Sequence, residues 1–399
     1  MMPVSLPIFM FMKRVSALPL DYKTTVILYV MLPVLFRWRG LALNYEWTDF
    51  FIPFWLGVAL YSLFAAALFH LIENGVRKSF WVAFKPLAGK KVRLIFLTVL
   101  VLESTWLMGF WNTLIISSDI LAVVVFVVHL RSKTKDWIKD ALTALIPAFY
   151  FSAGFILIAS YNVLIGSARY FAAYDSFFNS LDKLFLSGWS VTELSQQLAF
   201  KASPLVFLFL EKIYFFMFPQ IGAAIILLTV QKGTKHALRF VGTIAIAYQL
   251  ATLIYFFFPS LGPFFLSRPV SAGLPPHLVT THIQAELVQK LELLWQTGTK
   301  SSIGLDFYIA FPCMHLAQPL IVLWFLRFMK RVFWALAAYD FLMLFSIIFL
   351  QWHYLVDLLG GLFVALIAIK VYQLELKRVS SRTMEVQVKS ELVGRSGYA

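Results

Sequence analysis

The chain has a single cysteine, Cys313, among 399 residues. No disulfide can form within it, so cysteine usage says nothing about the redox compartment. Charge is scarce too: 14% of residues are charged, against 60% hydrophobic and 17% aromatic. A soluble protein of this length could not hide so much apolar surface from water. The composition excludes an ordinary soluble fold and implies an integral membrane protein with lipid on its outer face. Acidic residues are the rarer sign, 20 against 34 basic, for a net charge of +14. The basic residues gather in short loops between apolar runs, which topology explains without a nucleic-acid partner. Attraction to anionic headgroups is a second effect. Apolar–polar alternation is missing, which disfavours a β-barrel. No cleavage-site pattern follows Lys13 and Arg14, so no removable signal peptide is expected. Internal repeats and low-complexity segments are absent as well.

What is there is a series of apolar runs near the length of a membrane span. At about 20 residues per span they give about ten helices. These lie near 24–36, 48–72, 93–112, 114–130, 141–165, 204–230, 239–258, 310–328, 333–351 and 355–373. The first is short, and Glu103 interrupts the closely spaced third and fourth. The expected fold is an all-α polytopic membrane protein. Lys and Arg cluster at 77–93, 131–139, 232–239, 327–331 and 377–382. With ten helices these segments share one side, which the positive-inside rule makes cytoplasmic; Arg37 and Arg39 fall on the other. The extracytoplasmic side receives two longer segments. Residues 166–203 read as an amphipathic stretch lying on the bilayer. Residues 259–309 form a long loop with a helix expected from Thr281 to Trp295. The basic segment 131–140 divides the chain into an N-terminal transmembrane region, 1–140, and a second membrane domain, 141–375. A polar cytoplasmic tail, 376–399, follows and is expected to be mobile.

Two polar motifs interrupt the apolar helices of the second region. They are Ala310-Phe311-Pro312-Cys313-Met314-His315 and Gln351-Trp352-His353-Tyr354-Leu355-Val356-Asp357. Ionisable groups inside membrane segments are costly, hence rare and usually functional. His353 and Asp357 are four apart and share a helix face. A carboxylate beside an imidazole fixes its tautomer and stabilises the cation, which prepares the free nitrogen to attack phosphorus. His315, at a helix start, is placed to protonate a leaving oxygen and then deprotonate an acceptor. Arg268, in Leu266-Ser267-Arg268-Pro269, is the nearest candidate to hold phosphate oxygens.

Phe311-Pro312-Cys313-Met314-His315 resembles the second motif of the type 2 phosphatidic acid phosphatase (PAP2) superfamily, and His353-Tyr354-Leu355-Val356-Asp357 resembles its third. The form is similar to the branch of inositol phosphorylceramide synthases and related bacterial phosphotransferases. Tyr174-Asp175 through Leu181-Asp182-Lys183-Leu184-Phe185 is reminiscent of the same branch. The resemblance covers roughly 165–375 and implies a six-helix PAP2-like core. It implies His353 as a nucleophile forming a phosphohistidine, Asp357 as its orienting group and His315 as acid and base. Arg268, Cys313 and Tyr354 would touch substrate. It implies no cofactor and no metal. The partners would be a lipid phosphate donor and an alcohol or water acceptor. Alcohol gives a phosphotransferase, inositolphosphotransferase-like in this branch, and water a lipid phosphate or polyprenyl diphosphate phosphatase. The site would face the periplasm from a bacterial inner membrane, or the lumen of a Golgi-type membrane. The chain departs from the family pattern at Cys313, where serine or glycine is usual. It departs again at Ile347 and Leu261, where the superfamily often has arginine and lysine.

Each sharp reading has a plainer rival. A lone histidine at a helix end is more often an interfacial polar residue. Cys313 reads more readily as a small filler than as a nucleophile. His277 and His282 match no standard metal-ligand spacing with His353 and Asp357. Glu103, Glu211, Lys212 and Asp340 within apolar spans either line a cavity or pack with satisfied partners. They are the support for a competing class, a membrane transporter.

Overall fold

The computed structural model describes residues 20–39, 42–43, 157–167, 171–267, 270–297, 299–300 and 309–396. It also describes Phe69, Ile72, Glu73, Pro147, Tyr150, Phe151 and Gly154. The architecture is all-helical apart from a two-residue parallel pairing of β1 (Ala42–Leu43) with β2 (Thr299–Lys300). In chain order the helices are α1 (Leu20–Trp38), α2 (Leu157–Gly166), α3 (Phe171–Phe185), α4 (Val191–Lys201), α5 (Pro204–Phe215) and α6 (Met217–Lys232). They continue with α7 (Thr234–Phe257), α8 (Pro263–Leu266), α9 (Val279–Thr297), α10 (Met314–Leu326), α11 (Lys330–Phe349) and α12 (Leu355–Ser396).

Among the described residues four helical stretches are long and apolar enough to cross a membrane: Pro204–Thr229, Thr234–Phe257, Lys330–Phe349 and Leu355–Glu375. Two shorter apolar helices, Leu157–Gly166 and Met314–Leu326, accompany them. The expectation of about ten spans is therefore not matched by the described chain. The expected spans at 93–112 and 114–130, Glu103 with them, lie outside the described residues, and so does 48–72 except for Phe69 and Ile72. α1 is not apolar enough to count, since Asp21, Lys23 and Arg37 fall within its length.

Local chemistry explains most boundaries. Ser190 and Glu193 form a reciprocal capping box at the start of α4, splitting the amphipathic stretch into two helices. Ser203 caps α5, with Pro204 at its first turn. The span from Pro204 breaks at Phe216 because Pro219 has no N–H to give and its ring crowds the carbonyl of Phe215. The last helix does not end with its span. It continues to Ser396, through the tail 376–399 expected to be mobile.

α7, α10 and α12 pack on one another, α6 lies against α7 and α10, and α5 lies against α11. Their outward faces carry apolar stripes at helical spacing. Leu359, Leu362, Phe363 and Leu366 on α12 and Trp334, Phe341 and Phe345 on α11 are exposed, as surfaces wetted by lipid require. The turns α6–α7 and α10–α11 meet at one end, where the Lys232 ammonium lies 4.5 Å from the Phe328 ring centroid. α10 and α12 begin at the other end, and α7 and α11 finish there. That end holds both histidine motifs.

Candidate active site

The second motif begins where α11 stops. Gln351 has φ 61°, and the chain turns so that the N–H groups of Trp352 and His353 both donate to the Ile347 carbonyl, at 3.0 and 3.2 Å. Gln351 ties the surrounding loops together. Its Nε2 donates to the Ala272 carbonyl at 3.0 Å, and its Oε1 accepts from Ser267 Oγ at 3.2 Å. Its own carbonyl accepts from the Phe264 N–H. α12 then starts at Leu355. Its free N–H groups are capped by a residue far away in sequence: Asp182 on α3 accepts from Leu355 N at 2.9 Å and Val356 N at 3.2 Å.

Asp175, two turns earlier on α3, holds the α7–α8 turn. Its Oδ1 accepts from Ser260 Oγ at 2.8 Å, Leu261 N at 3.1 Å and Gly262 N at 2.9 Å. Gly262 sits at φ +114°, and a Cβ there would lie 2.5 Å from the Trp352 carbonyl oxygen, so the position needs glycine. Ser260 in turn receives the Ala310 N–H at the head of the first motif. A Cβ on Gly361 of α12 would meet the Cys313 carbonyl oxygen, so glycine there lets α12 lie directly against the first motif. Burial pushes the Asp175 carboxyl up to about 7, against the opposing pull of its Gly262, Leu261 and Ser260 donors. Burial raises Asp182 to about 6, opposed by the Leu355 and Val356 N–H groups.

Three side chains then fall into one hydrogen-bonded line. Asp357 Oδ2 lies 3.2 Å from His353 Nδ1, and His353 Nε2 lies 2.8 Å from His315 Nδ1. The Tyr354 N–H holds the same carboxylate oxygen at 2.8 Å. His353 is 2% exposed and Asp357 0%. Burial keeps the His353 ring well below its ordinary value, with the Ala310 carbonyl opposing, so the resting ring is neutral. With Asp357 ionised, it accepts the Nδ1–H of His353, and the bare Nε2 accepts from His315. Tyr214 stacks on the His315 ring at 4.8 Å and on Trp352 at 5.2 Å, fixing the orientation of the His315 ring.

Both histidines line a cavity of about 440 Å³ whose walls are mostly apolar, with Met217, Ala251, Ile283 and Met314 among them. Lys212 also lines it. So do Asn162, Thr252, Gln318 and Trp352, each carrying a buried polar atom with no hydrogen-bond partner among the described residues.

The other expected site residues distribute as follows. Arg268 lies outside the described residues. Tyr354 is fully buried, packs beside Phe178 and does not line the cavity. Cys313 is fully buried at the N-cap of α10 and makes no side-chain cap; burial pushes its thiol well up, so it is neutral. Ligand atoms of Cys313, His315 and His353 do lie within 4.8 Å of one another, a donor set that suits a metal as well as an acid–base pair. His277 and His282 are exposed and belong to no such cluster. Glu211 accepts the Thr280 N–H at 2.6 Å and so caps α9, while Asp340 accepts from Gln220 Nε2 at 3.1 Å. Both are packing partners.

Residues 186–371 match the PAP2 superfamily. No curated protein and no solved structure matches the chain. Members of the PAP2 superfamily are generally phosphatases or phosphotransferases, which supports an enzyme here. The PAP2-matched segment contains Lys212, Thr252, His315, Gln318, His353 and Asp357, and leaves Asn162, Asp175 and Asp182 outside. Sequence reasoning missed Asn162, Thr252 and Gln318. Gln318 had a signal, since it stands three residues after His315 and so shares its helix face.

Proposed function

We propose that the protein is a membrane-embedded lipid phosphotransferase working through a phosphohistidine, inositolphosphotransferase-like, with an alcohol such as ceramide, glycerol, inositol or a sugar as the acceptor. The observation that carries this reading is the Asp357–His353–His315 line opening into an apolar cavity that also holds Lys212. His353 Nε2 attacks the phosphorus while the bond from phosphorus to the lipid oxygen breaks. His315 gives that oxygen its proton. The same ring then takes the proton of an incoming alcohol, whose oxygen displaces His353, and the electron pair of the P–N bond returns to Nε2. Asp357 holds the Nδ1–H tautomer and stabilises the cation that forms. Lys212 supplies positive charge to the phosphoryl oxygens, the role expected of Arg268. Water in place of alcohol gives a phosphatase. With the basic turns cytoplasmic, the site opens to the extracytoplasmic face.

The test uses purified protein in detergent. Radiolabelled phosphatidylinositol, phosphatidic acid and polyprenyl diphosphate are each supplied with and without ceramide or diacylglycerol, with and without chelator, to wild type and His353→Ala. The expected result is an acceptor-dependent lipid product, insensitive to chelator and abolished in His353→Ala. Release of phosphate alone assigns a phosphatase. Loss of activity with chelator reassigns Cys313, His315 and His353 to a metal. Full turnover in a folded His353→Ala variant sinks the nucleophile.

A further inference from the structure

Beyond the histidines, three polar side chains interrupt the mostly apolar wall of the cavity. Gln318 is three residues beyond His315 along α10, about 4.5 Å deeper at the rise of an α-helix. Its Nε2 donates to the Tyr248 hydroxyl, and its Oε1 has no partner among the described residues. Thr252 stands five residues before the end of α7, again below the mouth, and its buried hydroxyl is unpaired among the described residues. Asn162 on α2 is 0% exposed, and neither atom of its amide is paired among the described residues. All three line the cavity that His315 and His353 share. Burying such groups without partners costs free energy. Three of them from three different helices converging on one apolar chamber is a site, because isolated packing defects have no reason to share a wall.

We infer that Asn162, Thr252 and Gln318 form a subsite for a hydroxyl carried by the lipid itself, on the carbon next to the one bearing the phosphate ester. This rests on reading the histidines as a lipid-phosphate site. The depth selects this ligand group. A lipid enters from the bilayer with its phosphate at the histidines, so whatever meets Gln318 lies on the chain side of the phosphate. The chemistry selects a hydroxyl. The subsite offers two neutral amides and a hydroxyl and no charge of its own, so it neither holds nor repels an anion. Oε1 of Gln318 and Oδ1 of Asn162 need a donor, and Nδ2 of Asn162 needs an acceptor. A hydroxyl is both, and it remains suitable whichever way either amide is turned. A polyprenyl phosphate carries no such group, and an ether-linked backbone without free hydroxyls offers no donor.

The probes are 1-oleoylglycerol 3-phosphate and its 2-deoxy analogue, which differ by one hydroxyl. Binding of each radiolabelled lipid to the full chain in lipid nanodiscs is measured in the His353→Ala background, so turnover plays no part. The expected result is about 10- to 100-fold tighter binding of the hydroxylated lipid, since the analogue leaves buried polar groups unpaired. Thr252→Val and Gln318→Met should each move that ratio toward one. Equal affinity for the two lipids overturns the subsite while leaving the phosphate site standing. A preference that survives both substitutions overturns the assignment of these residues. Failure to bind either lipid overturns the subsite together with the lipid-phosphate reading beneath it. If a variant does not fold, the wild-type ratio in the His353→Ala background decides alone.

Discussion

His353 Nε2, the nitrogen assigned to attack, is occupied at rest: His315 Nδ1 lies 2.8 Å from it. Entry of a phosphoryl group must part the two rings, so each histidine guards the other until substrate arrives. The tautomer then decides whether attack is possible. Asp357 accepts the Nδ1–H and leaves Nε2 with its lone pair. In Asp357→Asn the amide can donate to Nδ1 instead, which moves the ring proton to Nε2 and blocks attack. We expect kcat to fall roughly 10³–10⁴-fold with little change in KM, by analogy with an orienting triad aspartate. A near-wild-type rate would leave Asp357 a packing role through its Tyr354 N–H contact. If Lys212, exposed at the cavity wall, holds the phosphate as proposed, Lys212→Met should raise KM for a lipid phosphate about 10-fold or more through loss of a charge-assisted contact. A fall in kcat with constant KM would remove it from the phosphate.

At the scale of elements, α3 is the part that holds the two motifs in register. Asp175 and Asp182 are seven apart, hence on one face, and each takes up free N–H groups from a different loop of the site. Asp182→Ala removes the cap of α12 and should cost about 1–2 kcal/mol, seen as a lower thermal midpoint. An unchanged midpoint would mean water caps α12 equally well. Asp175 adds a pH dependence. Its folded value near 7 lies above the ordinary 3.8, so the folded chain holds this proton more tightly than the unfolded chain. That contribution is complete below 3.8 and is lost as the pH rises to about 7. The thermal midpoint should therefore fall by several degrees between pH 5 and pH 8, and Asp175→Asn should flatten the slope. A slope that persists in Asp175→Asn assigns it to Asp182 or another carboxyl. Much of this was open to the sequence. α7, α10 and α11 lie within a few residues of the apolar runs, and α12 starts with one, because composition and the 3.6-residue period fix them locally. Ser190–Glu193 and Pro219 were readable stop and start signals. The functional meaning of Asp175, Asp182, Asn162 and Thr252 was not, because it depends on helix packing between segments far apart in the chain.

For the molecule as a whole, the two classes of function predict different uses for its buried charges. A transporter needs Glu211 and Asp340 on a pathway. Instead Glu211 caps α9 and Asp340 pairs with Gln220, while Asn162, Thr252, Gln318 and Trp352, each with a polar atom unpaired among the described residues, line the cavity of the histidines. Among the described residues, the histidine motifs lie at one end of the bundle, and the basic turns containing Lys232, Lys235, Arg327 and Lys330 lie at the other. That asymmetry sets the expected orientation: basic end in the cytoplasm, histidines outside. It can be read without any substrate. His277 is exposed in the loop between α8 and α9, on the side of the site. In a chain with Cys313→Ser, which removes the only native thiol, His277→Cys should react with an impermeant thiol reagent added to intact cells. Lys235→Cys, in the opposite turn, should react only after lysis. The reverse pattern would turn the protein over in the membrane, put the phosphoryl chemistry on the cytoplasmic face, and require an acceptor drawn from the cytoplasm.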